Sequence, residues 1–449
     1  MKQMIPGLVA ALTLLALPAA AQDAALPPDP ETAVVAAEAV TAEVAYIFDT
    51  LLFLIGGILV FWMAAGFAML EAGLVRSKNV TVQLTKNIAL FAIAGLMYWI
   101  MGYNLMYPAD WSINLWIGEI FSFASLDPVA GADLENSYSV GSDFFFQLMF
   151  CATTASIVSG TLAERVKLWP FLVFTIVLTG LIYPIEASWQ WGGGWLSEMG
   201  FSDFAGSTLV HAAGGFAALA GAIVLGPRLG KYRTDGRMQP MPGSNLALAT
   251  LGTFILWMGW FGFNGASQLA MGTIDDVADV SRIFVNTNMA ASAGAVVALI
   301  LSQMMYSKVD LTMVLNGTLA GLVSITAEPL TPSIFAAVLI GGVGGAIVIF
   351  VVPLLDRLKI DDVVGAIPVH LAAGIWGTLI VPATNPDTSY INQLIGIVAI
   401  GAFVFILSFI VWSILKATMG IRASDEAQIS GLDISELGME AYPDFVQAK

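Results

Sequence analysis

Eleven apolar stretches, each long enough to cross a lipid bilayer, restrict what this chain can fold into. A membrane-spanning helix needs about 20 apolar residues, because the hydrocarbon core is about 30 Å thick and each residue adds about 1.5 Å. In lipid every backbone polar group must be bonded within the protein, so these stretches predict helices. They lie near residues 47–74, 82–107, 139–162, 168–187, 204–226, 245–269, 284–306, 311–327, 332–355, 363–381 and 391–416. We expect an all-α integral membrane protein with 11 transmembrane helices.

The balance of charged and apolar residues supports this class. Of the 449 residues, 58% are hydrophobic and 11% are charged, and the mean hydropathy is +0.83. A soluble domain carries about 25% charged residues. The single cysteine, Cys151, excludes an intrachain disulfide and a cysteine-based zinc site. No basic run of the kind that binds nucleic acid is present.

The N-terminal sequence and the basic residues predict the orientation in the membrane. Residues 1–21 have the pattern of a secretory signal, and the Ala-, Pro- and acid-rich residues 22–46 would form a poorly ordered periplasmic arm. Of the 17 basic residues, Lys2 leaves with the signal and only Arg282 lies outside, which leaves 15 inside. We therefore expect a multi-pass protein of the cell inner (plasma) membrane, with a transmembrane domain over 47–420 and a cytoplasmic tail over 421–449.

One sequence pattern occurs twice and contains both histidines of the chain. Residues 203–215 and 362–374 both fit Asp-x2-Gly-x4-His-x3-Gly, with His211 in the first copy and His370 in the second. Both histidines lie in apolar stretches, where an ionisable side chain is costly and by default marks a substrate or proton path. The alternative is a histidine that only joins two helices by a hydrogen bond. The matched pair favours the path.

The two copies begin the fifth and the tenth predicted spans. Because five is odd, the chain would consist of two inverted five-helix repeats plus one extra helix, an arrangement found in many transporters. Asp203 would then start its helix at the outer face and Asp362 at the inner face, each in a position to cap it. Each histidine follows eight residues later, about 12 Å along a helix. The imidazoles should meet near the middle of the bilayer, where such folds bind their substrate.

Aromatic residues are spaced to share helix faces near these histidines. They are Phe146 and Phe150 in the third span, Trp260 and Phe263 (with Ser267) in the sixth, and Trp189 and Trp191 in the loop before the fifth. Aromatic faces attract a small cation, and a hydroxyl can accept a hydrogen bond from one. The alternative is that these aromatic residues pack the core and form interfacial belts.

Several stretches resemble the ammonium transporter/Rhesus family. They are LEAGLVRSKN (70–79), FFFQLMFCATTASIVSGTLAERVK (144–167), WGGGWL (191–196), DFAGSTLVHAAGGFAAL (203–219), GWFGFNGAS (259–267), VHLAAGIWG (369–377) and GLDISELGMEAYPDF (431–445). The resemblance runs through most of the chain after the signal. It implies a bacterial ammonium transporter that forms a homotrimer, with a narrow central pore in each subunit.

The resemblance also implies roles for particular residues. Phe150, Trp191 and Ser267 would recruit ammonium, and Phe150 and Phe263 would form a gate with Phe146 nearby. The twin histidines His211 and His370 would line the pore. Trp260 and Asp203 would support these residues. Ammonium and potassium are similar in size and charge, but only ammonium can release a proton. A dry aromatic constriction penalises any charge and favours the neutral form of a titratable group, so it would admit ammonia and exclude potassium.

The resemblance implies ammonium as the substrate, with methylammonium as a second candidate, and no cofactor, metal site or enzymatic activity. A PII-type regulatory protein would dock at the tail and the inner face. Where relatives commonly have His-Gly-Glu, this chain has Leu437-Gly438-Met439, so this partner is implied less securely than transport.

Three other functions compete with ammonium transport. A membrane enzyme is disfavoured because no metal-ligand or nucleophile motif accompanies the histidines. An ammonium sensor would need a signalling domain, and the tail after Arg422 is too short to form one. The intact recruiting pair of Trp191 and Ser267 favours the ammonium branch over a Rhesus-type channel for neutral gas. The sequence leaves open whether the proton travels with ammonia.

Overall fold

The computed structural model describes residues 30–120, 122–123 and 137–443. The predicted signal at 1–21 lies outside these ranges, as do residues 22–29 of the predicted arm and residues 444–449 of the predicted tail.

In the described ranges every regular element is a helix, and nine of the helices are long and apolar enough to cross a membrane. Two further apolar helices, Leu311–Ile325 and Ile367–Ala383, are shorter. The eleven apolar helices are α1 (Pro30–Leu74), α2 (Ser77–Met106), α3 (Val140–Thr161), α4 (Leu168–Ser188), α5 (Ser207–Leu225), α6 (Leu246–Gln268), α7 (Ile274–Tyr306), α8 (Leu311–Ile325), α9 (Ile334–Arg357), α10 (Ile367–Ala383) and α11 (Tyr390–Thr418). Each overlaps one of the eleven apolar stretches.

Two helices begin well before the apolar stretches that predicted them. Helix α7 begins at Ile274 instead of near residue 284, because Thr273 and Asp276 form a capping box there. Its first turns are acidic and extend the helix beyond the apolar stretch. Helix α1 begins at Pro30 instead of near residue 47, so the described part of the predicted arm is helical. Alanine and glutamate are strong helix formers, and they outweigh the composition that suggested disorder.

Small residues allow α7, α8 and α9 to pack at close range. A Cβ atom on Gly294 of α7 would overlap the carbonyl of Gly317 in α8, and one on Gly345 of α9 would overlap the carbonyl of Gly294. Close backbone approach at glycine is typical of helix packing in membranes, where burial of apolar surface provides little drive for association.

The two copies of the repeated motif cross and pack against each other. Gly215 of α5 lies against Leu371 of α10, and Gly374 of α10 lies against the backbone of Ser207 in α5. The last glycine of each motif therefore supports the start of the other helix. This crossing positions the two histidines.

A buried network of charges joins the loops at the predicted inner side. Arg228 lies 3.2 Å from the Glu164 carboxylate and 2.9 Å from that of Asp361, and Arg76 lies 2.6 Å from Glu164. Burial alone would raise the pKa of the Asp361 carboxyl, but Arg165 and Arg228 outweigh it and hold that pKa well below its usual range. The network therefore keeps its charges paired at neutral pH.

The described part of the tail is tied to the start of α2. The Asp433 carboxylate accepts the backbone N–H groups of Thr81 and Val82 at 2.9 and 2.8 Å, which caps that helix. Lys78 in turn donates to two carbonyls of the tail, those of Gln428 and Ile429.

Candidate functional site

The two histidines of the chain lie in contact. The Nδ1 atoms of His211 and His370 are 3.2 Å apart, and the ring centroids are separated by 5.2 Å with an angle of 25° between the ring planes. Both side chains are buried. A hydrogen bond between two Nδ1 atoms needs one N–H and one lone pair, so the two neutral rings must take different tautomers. The structure thus joins the imidazoles that the repeated motif predicted would meet.

Each histidine lies on a distorted first turn that its motif explains. The motif glycines Gly206 and Gly365 have φ angles of +99° and +81°, a left-handed conformation that favours glycine. The chain then enters a π-helical turn, Ser207–Ala212 in α5 and Ile367–Ala372 in α10, and each turn carries one of the histidines. Such turns are rare in proteins overall, but they occur often at functional sites.

The two motif aspartates act as helix caps. The Asp203 carboxylate accepts four backbone N–H groups, those of Gly206, Ser207, Thr208 and Leu209, at 2.7 to 3.0 Å. Asp362 accepts the N–H groups of Gly365 and Ile367 and the hydroxyl of Thr161. Each Asp203 oxygen accepts two of these hydrogen bonds, so the carboxylate holds the start of the helix.

Aromatic rings cover the histidine pair from one side. Trp260 stacks on His211 at a centroid distance of 5.0 Å, and Phe263 lies 5.2 Å from the same ring. The indole N–H of Trp260 donates to Thr326 at 2.8 Å, which fixes the orientation of its ring. The His211 ring is therefore held between a tryptophan, a phenylalanine and the second histidine.

Two phenyl rings lie in contact next to His211. Phe150 and Phe263 are 4.1 Å apart with an angle of 37° between their planes, and both are buried. Phe146 meets Phe150 edge to face at 4.8 Å. The three rings predicted to form a gate are thus in contact.

Trp191 and Ser267 each contact one of these two phenylalanines. Trp191 meets Phe150 at 5.8 Å with its plane perpendicular, and its indole N–H donates to the carbonyl of Asp203 at 3.0 Å. The Ser267 hydroxyl donates to the carbonyl of Phe263 at 2.8 Å, which leaves its oxygen lone pairs as acceptors. An aromatic face and a hydroxyl acceptor are what a small cation carrying N–H groups requires.

A small cavity, which we name the histidine cavity, lies beside His370. It is lined by Phe67, Glu71, Ser156, Asn316, Val364 and His370, among others, and its volume is about 10 Å³. The Phe67 ring lies 6.1 Å from that of His370. Asn316 and Val364 also line a second cavity of about 440 Å³, the large cavity, which Arg228, Lys231 and Asp356 border.

Comparison with known proteins identifies the family. The sequence profile of the Ammonium Transporter Family matches residues 51–442, which is most of the chain. The chain belongs to the Ammonium Transporter Family.

Other members of the Ammonium Transporter Family match over nearly the full length. Ammonium transporter Amt2 of Archaeoglobus fulgidus is 43% identical over 425 residues, covering 88% of each chain. A solved structure described as a sensor Amt protein aligns with a TM-score of 0.82 at 33% identity, and the match covers 89% of this chain and all of that one. The crystal structure of Candida albicans Mep2 aligns with a TM-score of 0.76 at 26% identity, covering 88% and 92%.

Four residues near the histidine pair of this chain were not identified from the sequence. Phe67 and Glu71 lie in or beside a quoted family stretch, but nothing in the apolar pattern indicates that they border the histidine cavity. Thr326 and Asn316 are polar residues of the α8 region, and polar residues are common in membrane helices. Their contacts come from helix crossings distant in sequence, which spacing along one helix does not reveal.

Proposed function

We propose that this chain transports ammonium across the membrane by recruiting the ion at Trp191 and Ser267, removing its proton at the phenyl gate and conducting ammonia past His211 and His370. The observation that carries the proposal is the unbroken series of side-chain contacts from Trp191 through Phe150 and Phe263 to the histidine pair. Membership in the Ammonium Transporter Family supplies the substrate.

Recruitment depends on the outer aromatic faces. The ring of Trp191 and the edge-on Phe150 beside it present π-electron density to a cation, and Ser267 offers an oxygen that accepts a hydrogen bond. A cation–π contact at a partly desolvated site contributes about 1–2 kcal/mol. Potassium gains the same electrostatic attraction but cannot donate a hydrogen bond to Ser267.

Selection takes place at the gate formed by Phe150 and Phe263. No polar group of these rings can replace the water around an ion, so a charge that enters the constriction loses its hydration without compensation. Ammonium avoids that cost by passing its proton to the buried Nε2 of His211, which has no hydrogen-bond partner among the described residues, and crossing as ammonia. Potassium has no proton to release, and it stays outside.

The histidine pair then provides polar contacts for ammonia and its proton. Each neutral imidazole has one donor and one acceptor, and the Nδ1 hydrogen bond uses one of each. The Nε2 atom of His211 is buried and has no hydrogen-bond partner in the described part of the chain, so it can bind a small molecule in the pore. A proton can pass between the rings when both exchange tautomers.

We also propose the finer architecture. The chain would cross the membrane eleven times, as two inverted five-helix repeats and one extra helix. It would lie in the inner membrane of the cell, with the N-terminus in the periplasm and the C-terminus in the cytoplasm. The crossing of α5 and α10 through their matched glycines supports the repeat. Assembly as a homotrimer and docking of a PII-type protein remain expectations from the family.

Transport by purified protein tests the proposal. In liposomes, an ammonium pulse should drive uptake that saturates with concentration, and the same pulse should drive little uptake through His211→Ala protein. A Rhesus-type gas channel would conduct without saturation and without charge movement. A sensor, the role named for one of the structures similar to this chain, would bind ammonium without sustained uptake.

A further inference from the structure

Glu71 is a buried carboxylate that the proposed pathway does not use. It belongs to α1, is 1% exposed and lines the histidine cavity together with His370. Leaving a charged group inside a membrane protein is costly, and such residues usually face an interior path or a partner.

The two carboxylate oxygens of Glu71 differ in their hydrogen-bond partners. Oε2 accepts hydrogen bonds from the side-chain amides of Gln83 and Asn87 and from the hydroxyl of Ser159. Lys86 donates to the carbonyl of Ser159 at 3.1 Å, so a cation lies next to this cluster. In the described part of the chain no donor is placed on Oε1. One oxygen therefore anchors the side chain, and the other remains able to accept a proton.

The histidine cavity can connect this free oxygen with His370. Its volume of about 10 Å³ is at the lower limit of about 10–15 Å³ that a single water molecule needs. Polar groups of Glu71, Ser156, Asn316 and His370 line it, which provides the two to four partners that a buried water requires. Because Nδ1 of His370 is bonded to His211, the ring nitrogen that remains for the cavity is Nε2.

We propose that Glu71 receives the proton that His370 releases. A proton passes from Nε2 of His370 to one water in the cavity, and a proton of that water passes to Oε1 of Glu71. The imidazole returns to its neutral form and the carboxylate becomes a carboxylic acid, so charge and atoms balance. The proton then leaves to water in the large cavity, which shares the lining residues Asn316 and Val364 with the histidine cavity. This inference rests on the proposed transport function.

The test compares charge movement with ammonium uptake in liposomes that contain known amounts of folded protein. The readout is the ratio of charge moved to ammonium taken up. In Glu71→Gln protein, which keeps the hydrogen-bonding shape, we expect that ratio to fall at least tenfold relative to wild type. Glu71→Asp keeps a titratable group and should retain at least half of the ratio. Structural damage would lower current and uptake together and leave the ratio unchanged, and that result would overturn the proposal.

Two further variants separate proton transfer from charge balance. If Glu71 only neutralises Lys86, the double variant Glu71→Gln, Lys86→Met should restore the ratio, which would also overturn the proposal; we expect the ratio to stay low. Should Glu71→Gln not fold, Ser156→Val tests the same step, because the added methyl groups fill the cavity and leave the Glu71 cluster intact. Its ratio should fall, and an unchanged ratio would refute the relay.

Wild-type behaviour distinguishes this inference from the function on which it rests. Uptake without any current would overturn the Glu71 relay and leave ammonium transport standing. Absence of uptake would instead overturn the proposed function itself.

Discussion

His211 and His370 share one hydrogen bond through their Nδ1 atoms, although 159 positions separate them in the chain. Each is carried by its own copy of the repeated motif, and the two helices that carry them cross. The geometry of the pair therefore depends on both halves of the molecule. A substitution that moves either helix should alter the selectivity for ammonium over potassium.

Replacement of either histidine by aspartate should weaken the exclusion of potassium. A carboxylate next to the remaining imidazole can stabilise a cation that a pair of neutral rings cannot. The measurement is ammonium and potassium flux through His211→Asp and His370→Asp proteins at matched content of folded protein. A folded variant with full ammonium flux and full potassium exclusion would reduce the histidines to a link between two helices.

Trp191→Leu should impair uptake mainly at low ammonium concentration. The change removes a cation–π partner worth about 1–2 kcal/mol, which corresponds to an affinity loss of about 5- to 30-fold. The measurement is uptake across a range of concentrations. Trp189→Leu is a suitable comparison, because Trp189 packs in a separate aromatic cluster with Trp116 and Trp195. An equal loss at all concentrations would indicate that Trp191 has a structural role instead.

Gly206→Ala should destabilise the protein and disturb recruitment. Gly206 has a φ of +99°, and an added Cβ would lie 2.6 Å from Val210 and 3.0 Å from Trp191. The left-handed conformation alone costs an L-residue about 1–2 kcal/mol. A thermal unfolding midpoint below that of wild type is expected. Gly141→Ala is the control, because a Cβ there meets no atom within 4 Å; equal midpoints for both variants would contradict the assignment.

Asp361 should stabilise the protein at neutral pH and lose that effect in acid. Its pKa is lower in the folded protein than in the unfolded chain, so its contribution is complete above the unfolded pKa and disappears as the pH falls toward the folded one. Asp361→Asn should therefore lower the unfolding midpoint at pH 7 and reduce its decline between about pH 5 and pH 3. Asp235→Asn affects an exposed pair and should change neither value.

Labelling of single cysteines tests the predicted orientation. In a Cys151→Ser background, a cysteine at Asn114 should react with an impermeant reagent from the outside, and one at Asp235 should not. Both positions are exposed, so burial does not confound the comparison. Reversed reactivity would refute an orientation based on the distribution of basic residues.

The sequence predicted those parts of the structure that depend on local pattern. Apolar length located the helices, and the repeated motif predicted the contact between His211 and His370. Helix starts such as Ile274 were misplaced, because a capping box can extend a helix beyond its apolar part. The cluster around Glu71 was missed since its partners come from α2 and α3, and packing between helices decides which polar residues meet.

The crossing of α5 and α10 has a consequence for how the site can change. Gly215 belongs to the helix of His211, yet it lies against Leu371, the neighbour of His370; Gly374 lies against the helix start that carries His211. A larger residue in one copy of the motif would therefore displace the histidine of the other copy. Neither half can acquire a new side chain at its histidine position alone, and compensating substitutions should arise in pairs across the two halves.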